Sequence, residues 1–135
     1  MAHSIRLAGP WQVEPLDGLS FRDGSTDSLR VKLPRDWSEI FGENRGRARF
    51  ERSFNAPTGI DQARLFLTFE ELHGRVSLSL NGRTLVEHAE PVNDLRVEIT
   101  ELLESSNRLE LTLSCVPGPG KACGLHCPVQ LVIEE

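Results

Sequence analysis

The stretch Arg75-Val76-Ser77-Leu78-Ser79-Leu80-Asn81-Gly82 alternates polar and apolar residues without a break and then ends on a turn dipeptide. Successive side chains on a strand point to opposite faces, so Val76, Leu78 and Leu80 share one side. Unbroken alternation marks an antiparallel strand with one buried face and one wet face. Asn-Gly suits the positive φ angles of a type I′ turn, so a hairpin is expected at residues 81–82. The same period of two recurs in Arg108-Leu109-Glu110-Leu111-Thr112-Leu113-Ser114-Cys115, in Leu95-Arg96-Val97-Glu98-Ile99 and in Ala63-Arg64-Leu65-Phe66-Leu67-Thr68-Phe69. Shorter candidates lie at residues 5–7, 11–13, 29–33, 50–54, 85–88 and 129–133. Only Thr100-Glu101-Leu102-Leu103-Glu104 reads as helical, with Thr100 as its cap. Residues 14–28 and 38–47 read as long loops, and Val116-Pro117-Gly118-Pro119-Gly120 as a turn. Many short strands with almost no helix predict a single all-β domain spanning residues 1–135, a sandwich of two antiparallel sheets. Val76, Leu78, Leu80, Leu109, Leu111 and Leu113 should all point inward.

Composition sets the outer bounds. A chain of 135 residues that is 39% hydrophobic and 26% charged matches a folded domain. Its net charge of −5 argues against nucleic acid as a partner, whose phosphates demand a basic face. No apolar run approaches the roughly 20 residues that span a bilayer, so no membrane role is expected. The opening residues carry no apolar secretory segment, which favours the cytoplasm. Cys115, Cys123 and Cys127 are then expected to stay as thiols. Cys-x3-Cys with His126 inside it lacks the paired ligands of a structural zinc site.

Catalytic patterns are sparse. Glu70 and Glu71 are adjacent on a strand and so point apart, whereas glycoside hydrolysis needs two convergent carboxyls. Gly118-Pro119-Gly120-Lys121 lacks the hydroxyl and the following helix of a phosphate loop. No Gly-x-Ser-x-Gly elbow exists, and His3, His73, His88 and His126 show no metal spacing. The chain is therefore expected not to be an enzyme. Arg45, Arg47 and Arg49 share one face of an extended segment, a stripe able to hold oxyanions, though Glu43 and Glu51 dilute it. Arg52 shares the inward face with Phe50 and Phe54 and is expected to join a structural ion pair. Aromatics are only 6% with no Tyr, so any sugar site is poor in stacking rings.

Taken in order, these motifs resemble the sugar-binding N-terminal domain of family 2 glycoside hydrolases, the β-galactosidase, β-glucuronidase and β-mannosidase group. The likeness runs through Ile5-x-Leu7-x-Gly9-x-Trp11-x-Val13, Leu33-Pro34-Arg35-Asp36-Trp37, Phe50-x-Arg52-x-Phe54-x-x-Pro57 and Arg64-Leu65-Phe66-Leu67-x-Phe69-Glu70. It continues through Val76-x-Leu78-x-Leu80-Asn81-Gly82, His88, Ile99-Thr100-x-Leu102-Leu103, Asn107-Arg108-Leu109 and Gly124-Leu125-His126-Cys127-Pro128-Val129-x-Leu131. The resemblance implies a galactose-binding-like jelly-roll sandwich. The closing motif of that family carries Tyr-Arg where this chain has His126-Cys127. The family's catalytic carboxylates lie on a barrel of about 250 residues, which has no counterpart in this sequence.

The expected function is a non-catalytic binding module, with carbohydrate as its partner. Its alternatives are a protein-interaction or structural sandwich without a sugar site, and a fragment of a split hydrolase. The expected ligand-binding residues are Trp37, Glu39, Asn44, Arg45 and Arg47 in and after the 38–47 loop, with His88 and Asn93. A ring beside a few fixed polar groups is what a shallow sugar site requires. Trp37 has a second reading, preferred for so large an apolar group, in which it folds inward and plugs the end of the sandwich. No catalytic residue, metal ligand or cofactor is expected, except that a structural calcium could use the oxygens of Asp17, Asp23 and Asp27.

Overall fold

The computed structural model describes residues 2–7, 9–59, 62–70, 72–87, 95–116, 123–125 and 129–134. One sheet has four strands, in the order β1 (Ala2–Arg6), β13 (Val129–Glu134), β6 (Arg64–Phe69) and β10 (Leu95–Glu98). A second has six, in the order β3 (Leu29–Val31), β2 (Trp11–Leu16), β5 (Gly46–Asn55), β11 (Ser106–Cys115), β8 (Arg75–Leu80) and β9 (Arg83–Glu87). Every pairing is antiparallel. Leu65, Leu67, Phe69, Val129 and Leu131 of the first sheet join Val13, Phe50, Leu78, Leu111 and Leu113 of the second in one buried core. The expected all-β sandwich is therefore what forms. All six residues expected inward, Val76, Leu78, Leu80, Leu109, Leu111 and Leu113, are buried.

The hairpin forms where the dipeptide predicts it. Asn81 and Gly82 take φ of 53° and 81°, and glycine accepts the second of these without steric cost. Between β8 and β9 the pairing shifts at Leu78 and Ser79, a bulge.

Two expectations need correction. The residues 100–104 form a turn, not a helix, because the Thr100 hydroxyl is engaged outside any cap. It donates to Glu98 Oε2 at 2.8 Å and accepts the Leu65 N–H at 3.0 Å. The helix lies instead in the segment read as a loop, at α1 (Trp37–Phe41). Trp37, Ile40 and Phe41 are its buried face, at the i, i+3, i+4 spacing of a helical stripe. A third, small sheet, β4 (Arg35–Asp36), β12 (Gly124–Leu125) and β7 (Leu72–His73), leads directly into that helix. Gly124 is required there: a Cβ would stand 2.6 Å from the Trp37 backbone nitrogen, and its φ is 112°.

On the outer face of the four-stranded sheet, Phe66 lies between two guanidiniums, 4.0 Å from Arg96 and 5.1 Å from Arg64. Each is also held by a carboxylate, Arg96 by Glu134 at 2.7 Å and Arg64 by Glu98 at 2.8 Å. The hydrogen bond from Arg64, followed by that from Thr100, holds Glu98 below the usual carboxylate range.

Cys115 and Cys123 are buried and reduced. The hydrogen bond with Cys123, then burial, pushes the Cys115 thiol far above its ordinary range. Alkylation requires the thiolate, so Cys115 in the folded protein should react with iodoacetamide at pH 8 at least about tenfold more slowly than in urea. Mass spectrometry of timed aliquots reads this directly, and equal rates in the two conditions would refute the assignment. Cys127 and His126 lie outside the described residues.

Candidate functional site

The residues expected around Trp37 come together, but as structure. Trp37 is 1% exposed, and its indole N–H donates to the Asn44 carbonyl at 2.8 Å. Its ring lies 4.4 Å from that of Phe41, which in turn stacks on Phe21 at 5.2 Å. The Asn44 side-chain amide donates to the Ser20 carbonyl at 3.0 Å, tying residues 17–28 to the end of the helix. Glu39 Oε1 accepts the Asp36 N–H at 3.4 Å, the backward half of a helix N-terminal box. Trp37 is thus the plug and not a platform; no face of it is open to a sugar ring. Glu39 and Asn44 are exposed groups whose polar atoms serve the loop. Arg45 is exposed and has no ion pair among the described residues. His88 and Asn93 lie outside the described residues.

Of the described residues of the expected site, Arg47 borders a concavity. The outer face of the six-stranded sheet holds a groove of about 460 Å³ lined by Arg47, Arg75, Ser77, Glu87, Thr112 and Ser114, with Val76. Strand pairing explains the assembly. Ser114 is opposite Arg47 on one side and Arg75 on the other, Thr112 is opposite Ser77, and Ser77 is opposite Glu87. Among the described residues, the groove therefore has two guanidiniums at one end, three hydroxyls along its floor and one carboxylate at the far strand. Arg47 is shared with Asp17 at 2.9 Å, whereas Arg75 has no carboxylate partner among the described residues. Arg49, beside the groove, is tied to Glu14. The volume falls within the ~300–1,000 Å³ of small-molecule sites, and rigid strands rather than loops hold every polar group.

The aspartates considered for calcium do not act together. Asp17 faces Arg47, and Asp23 accepts the Ser25 hydroxyl at 2.7 Å and the Ser25 N–H at 2.9 Å. Those bonds lower the Asp23 carboxyl below its usual range. Among the described residues no three His, Cys, Asp or Glu side chains form a metal-binding group.

Arg52 departs from its expected role. It points inward as the alternation predicts, but it forms no ion pair among the described residues, and its Nε–H is buried without an acceptor. Burial alone lowers its pKa from the usual arginine value. The shortage of carboxylates on the inward face explains the outcome: Asn107 is the one buried polar residue among those described.

The chain is, in class, an all-β sandwich domain with a polar groove on the outside of its larger sheet. It shares its fold with parts of several glycosidases. It is similar to an uncultured Clostridium sp. β-glucuronidase, at 18% identity with a TM-score of 0.79, over 98% of this chain and 29% of that one. An FMN-binding β-glucuronidase from Faecalibacterium prausnitzii L2-6 gives 21% and 0.76, over 98% and 22%. A putative β-galactosidase from Bacteroides fragilis gives 19% and 0.73, over 98% and 23%. The chain thus spans less than a third of each of these proteins. The fold implied by the sequence motifs is the fold observed. No protein-family model and no curated protein matches the chain.

Proposed function

We propose that this chain is a non-catalytic module that binds carbohydrate in the groove between Arg47 and Glu87. The observation that carries the reading is the lining itself. Sugar hydroxyls both donate and accept, and the groove offers donors in Arg47 and Arg75, an acceptor in Glu87, and groups that do both in Ser77, Thr112 and Ser114. Among the described residues Glu87 is the one carboxylate that lines the groove, and a lone carboxylate suits a hydroxyl acceptor rather than an acid and base pair across one glycosidic bond. With no aromatic ring among the described lining residues, binding rests on polar contacts, and a dissociation constant of about 1 mM is expected, near −4 kcal/mol.

The test is an NMR titration of the isotopically labelled chain with a panel of monosaccharides. Amide shifts should concentrate on the outward residues of β5, β8, β9 and β11. The double variant Arg75→Ala, Thr112→Val should weaken binding at least about tenfold. Incubation with aryl glycosides should release no nitrophenol. Shifts scattered away from the groove, or none with any sugar, would instead favour an interaction domain without a sugar site.

A further inference from the structure

Strand register orders the groove on the outer face of the larger sheet into two rows. In the first, Ser114 on β11 is opposite Arg47 on β5 and opposite Arg75 on β8. Their chain neighbours Ala48, Leu113 and Val76 are buried in the core, so alternation turns Arg47, Ser114 and Arg75 outward on one face. Adjacent strands lie about 4.8 Å apart, which sets the two arginine Cα atoms roughly 10 Å from each other with the serine midway. An arginine side chain is longer than one strand spacing, so both guanidiniums reach the space above the Ser114 hydroxyl. In the second row, two residues along, Thr112 is opposite Ser77 and Ser77 is opposite Glu87. The arginine of this row, Arg49, is already held by Glu14.

Charge divides along the same rows. Among the described residues Arg75 has no ion pair, and Arg47 has one, with Asp17, in which the two side chains are 49% and 66% exposed. Solvent screens so open a pair, and it leaves most of the guanidinium donors free. The first row is therefore cationic in a chain whose net charge is −5, and the carboxylate that lines the groove, Glu87, stands in the other row. A guanidinium fork matches the paired oxygens of an oxyanion better than it matches a lone hydroxyl, and such charge-assisted bonds are about twice as strong as neutral ones. We propose that the ligand of this groove is an acidic saccharide, its oxyanion held above Ser114 between Arg47 and Arg75 and its ring hydroxyls directed to Ser77, Thr112 and Glu87, an inference that rests on reading the groove as a carbohydrate site. The rows are about 7 Å apart along the strands, a span that a pyranose ring and its exocyclic acid group fill. Reversing the ligand would set its anion against Glu87, so the rows fix its direction as well as its class.

The experiment is an NMR titration of the labelled chain with galacturonic acid, galactose 6-sulfate, galactose and inorganic sulfate, all at one pH and ionic strength. At least one acidic sugar is expected to bind about tenfold or more tightly than galactose, with the Ser114 amide among those that shift. Arg75→Gln keeps a donor but removes the charge, and should cut that preference to about twofold or less, whereas Glu87→Gln should widen it. Both side chains are exposed, so neither variant disturbs the core. Preference for both acidic sugars supports any oxyanion as the group held; preference for one of them supports a carboxylate or an ester sulfate alone. Inorganic sulfate binding as tightly as galactose 6-sulfate would reveal an anion site without a sugar and overturn the proposal, as would a preference that survives Arg75→Gln. Equal affinity for galactose and the acidic sugars overturns the acidic ligand while the carbohydrate reading stands. Shifts with none of the sugars overturn both.

Discussion

Replacing Trp37 with alanine is expected to destabilise the fold by about 3–5 kcal/mol, the usual range for removing a fully buried large aromatic group. The ring is 1% exposed and is packed against Phe41, so its loss leaves a cavity bounded by stiff neighbours. The Asn44 carbonyl would also lose its indole donor. A domain of this kind holds only ~5–15 kcal/mol in total, so the effect is a large share of its stability. Urea unfolding would show it as a lower midpoint at unchanged slope. Trp37→Phe restores most of the volume but not the N–H, and should cost roughly 1–3 kcal/mol through the unpaired carbonyl. Sugar affinity at a temperature where both variants remain folded should not change, because the groove is elsewhere. A Trp37→Ala variant as stable as the parent would refute the plug.

How much of this was legible in the sequence differs between fold and site. The buried faces of β8 and β11 were legible because a period of two is a local property: Val76, Leu78 and Leu80 declare their side without knowledge of their neighbours. The helix at Trp37 carried a signal too, with apolar residues at 37, 40 and 41 after Asp36 and with Glu39 three residues on. At five residues it is too short to stand out from a loop. Thr100 misled for the opposite reason. Its hydroxyl could cap a helix, yet the partners that hold it, Glu98 and Leu65, come partly from another strand. The groove was the least legible. Arg47, Arg75, Ser77, Glu87, Thr112 and Ser114 occupy outward positions of four strands, and each alone resembles any solvated residue. Only register brings them together, and register between strands distant in sequence is not written in any one of them. Arg47 was noticed because its stripe is local.

The second large effect is expected at Asn107, which is 2% exposed where β11 begins. Its Oδ1 accepts from the Asn81 side chain at 3.1 Å and from the Glu104 N–H at 2.9 Å. Its Nδ2 donates to the Glu104 carbonyl at 2.8 Å and to that of Phe54 at 3.4 Å. One side chain thus joins the β8–β9 turn, the turn before β11 and the end of β5. Asn81 completes the link by accepting the Arg108 N–H at 2.8 Å, so the hairpin is fastened to β11 at its tip. Asn107→Leu leaves several of these groups buried and unpaired at ~1–3 kcal/mol each, partly relieved by water at the more open Asn81. A net loss of about 3–4 kcal/mol is expected in urea unfolding. Asn107→Asp offers a sharper test, because it keeps the acceptor and inverts the donor. The new carboxylate would face the Glu104 and Phe54 carbonyls, an arrangement that favours its protonated form. The folded state then binds that proton more tightly than the unfolded chain does, where an aspartate titrates near ~3.9. Stability relative to the parent should therefore be best preserved below the unfolded value and should fall as pH rises through the raised folded value. A deficit in Asn107→Asp that is flat from pH 4 to pH 8 would show that Nδ2 does not make the two bonds assigned to it.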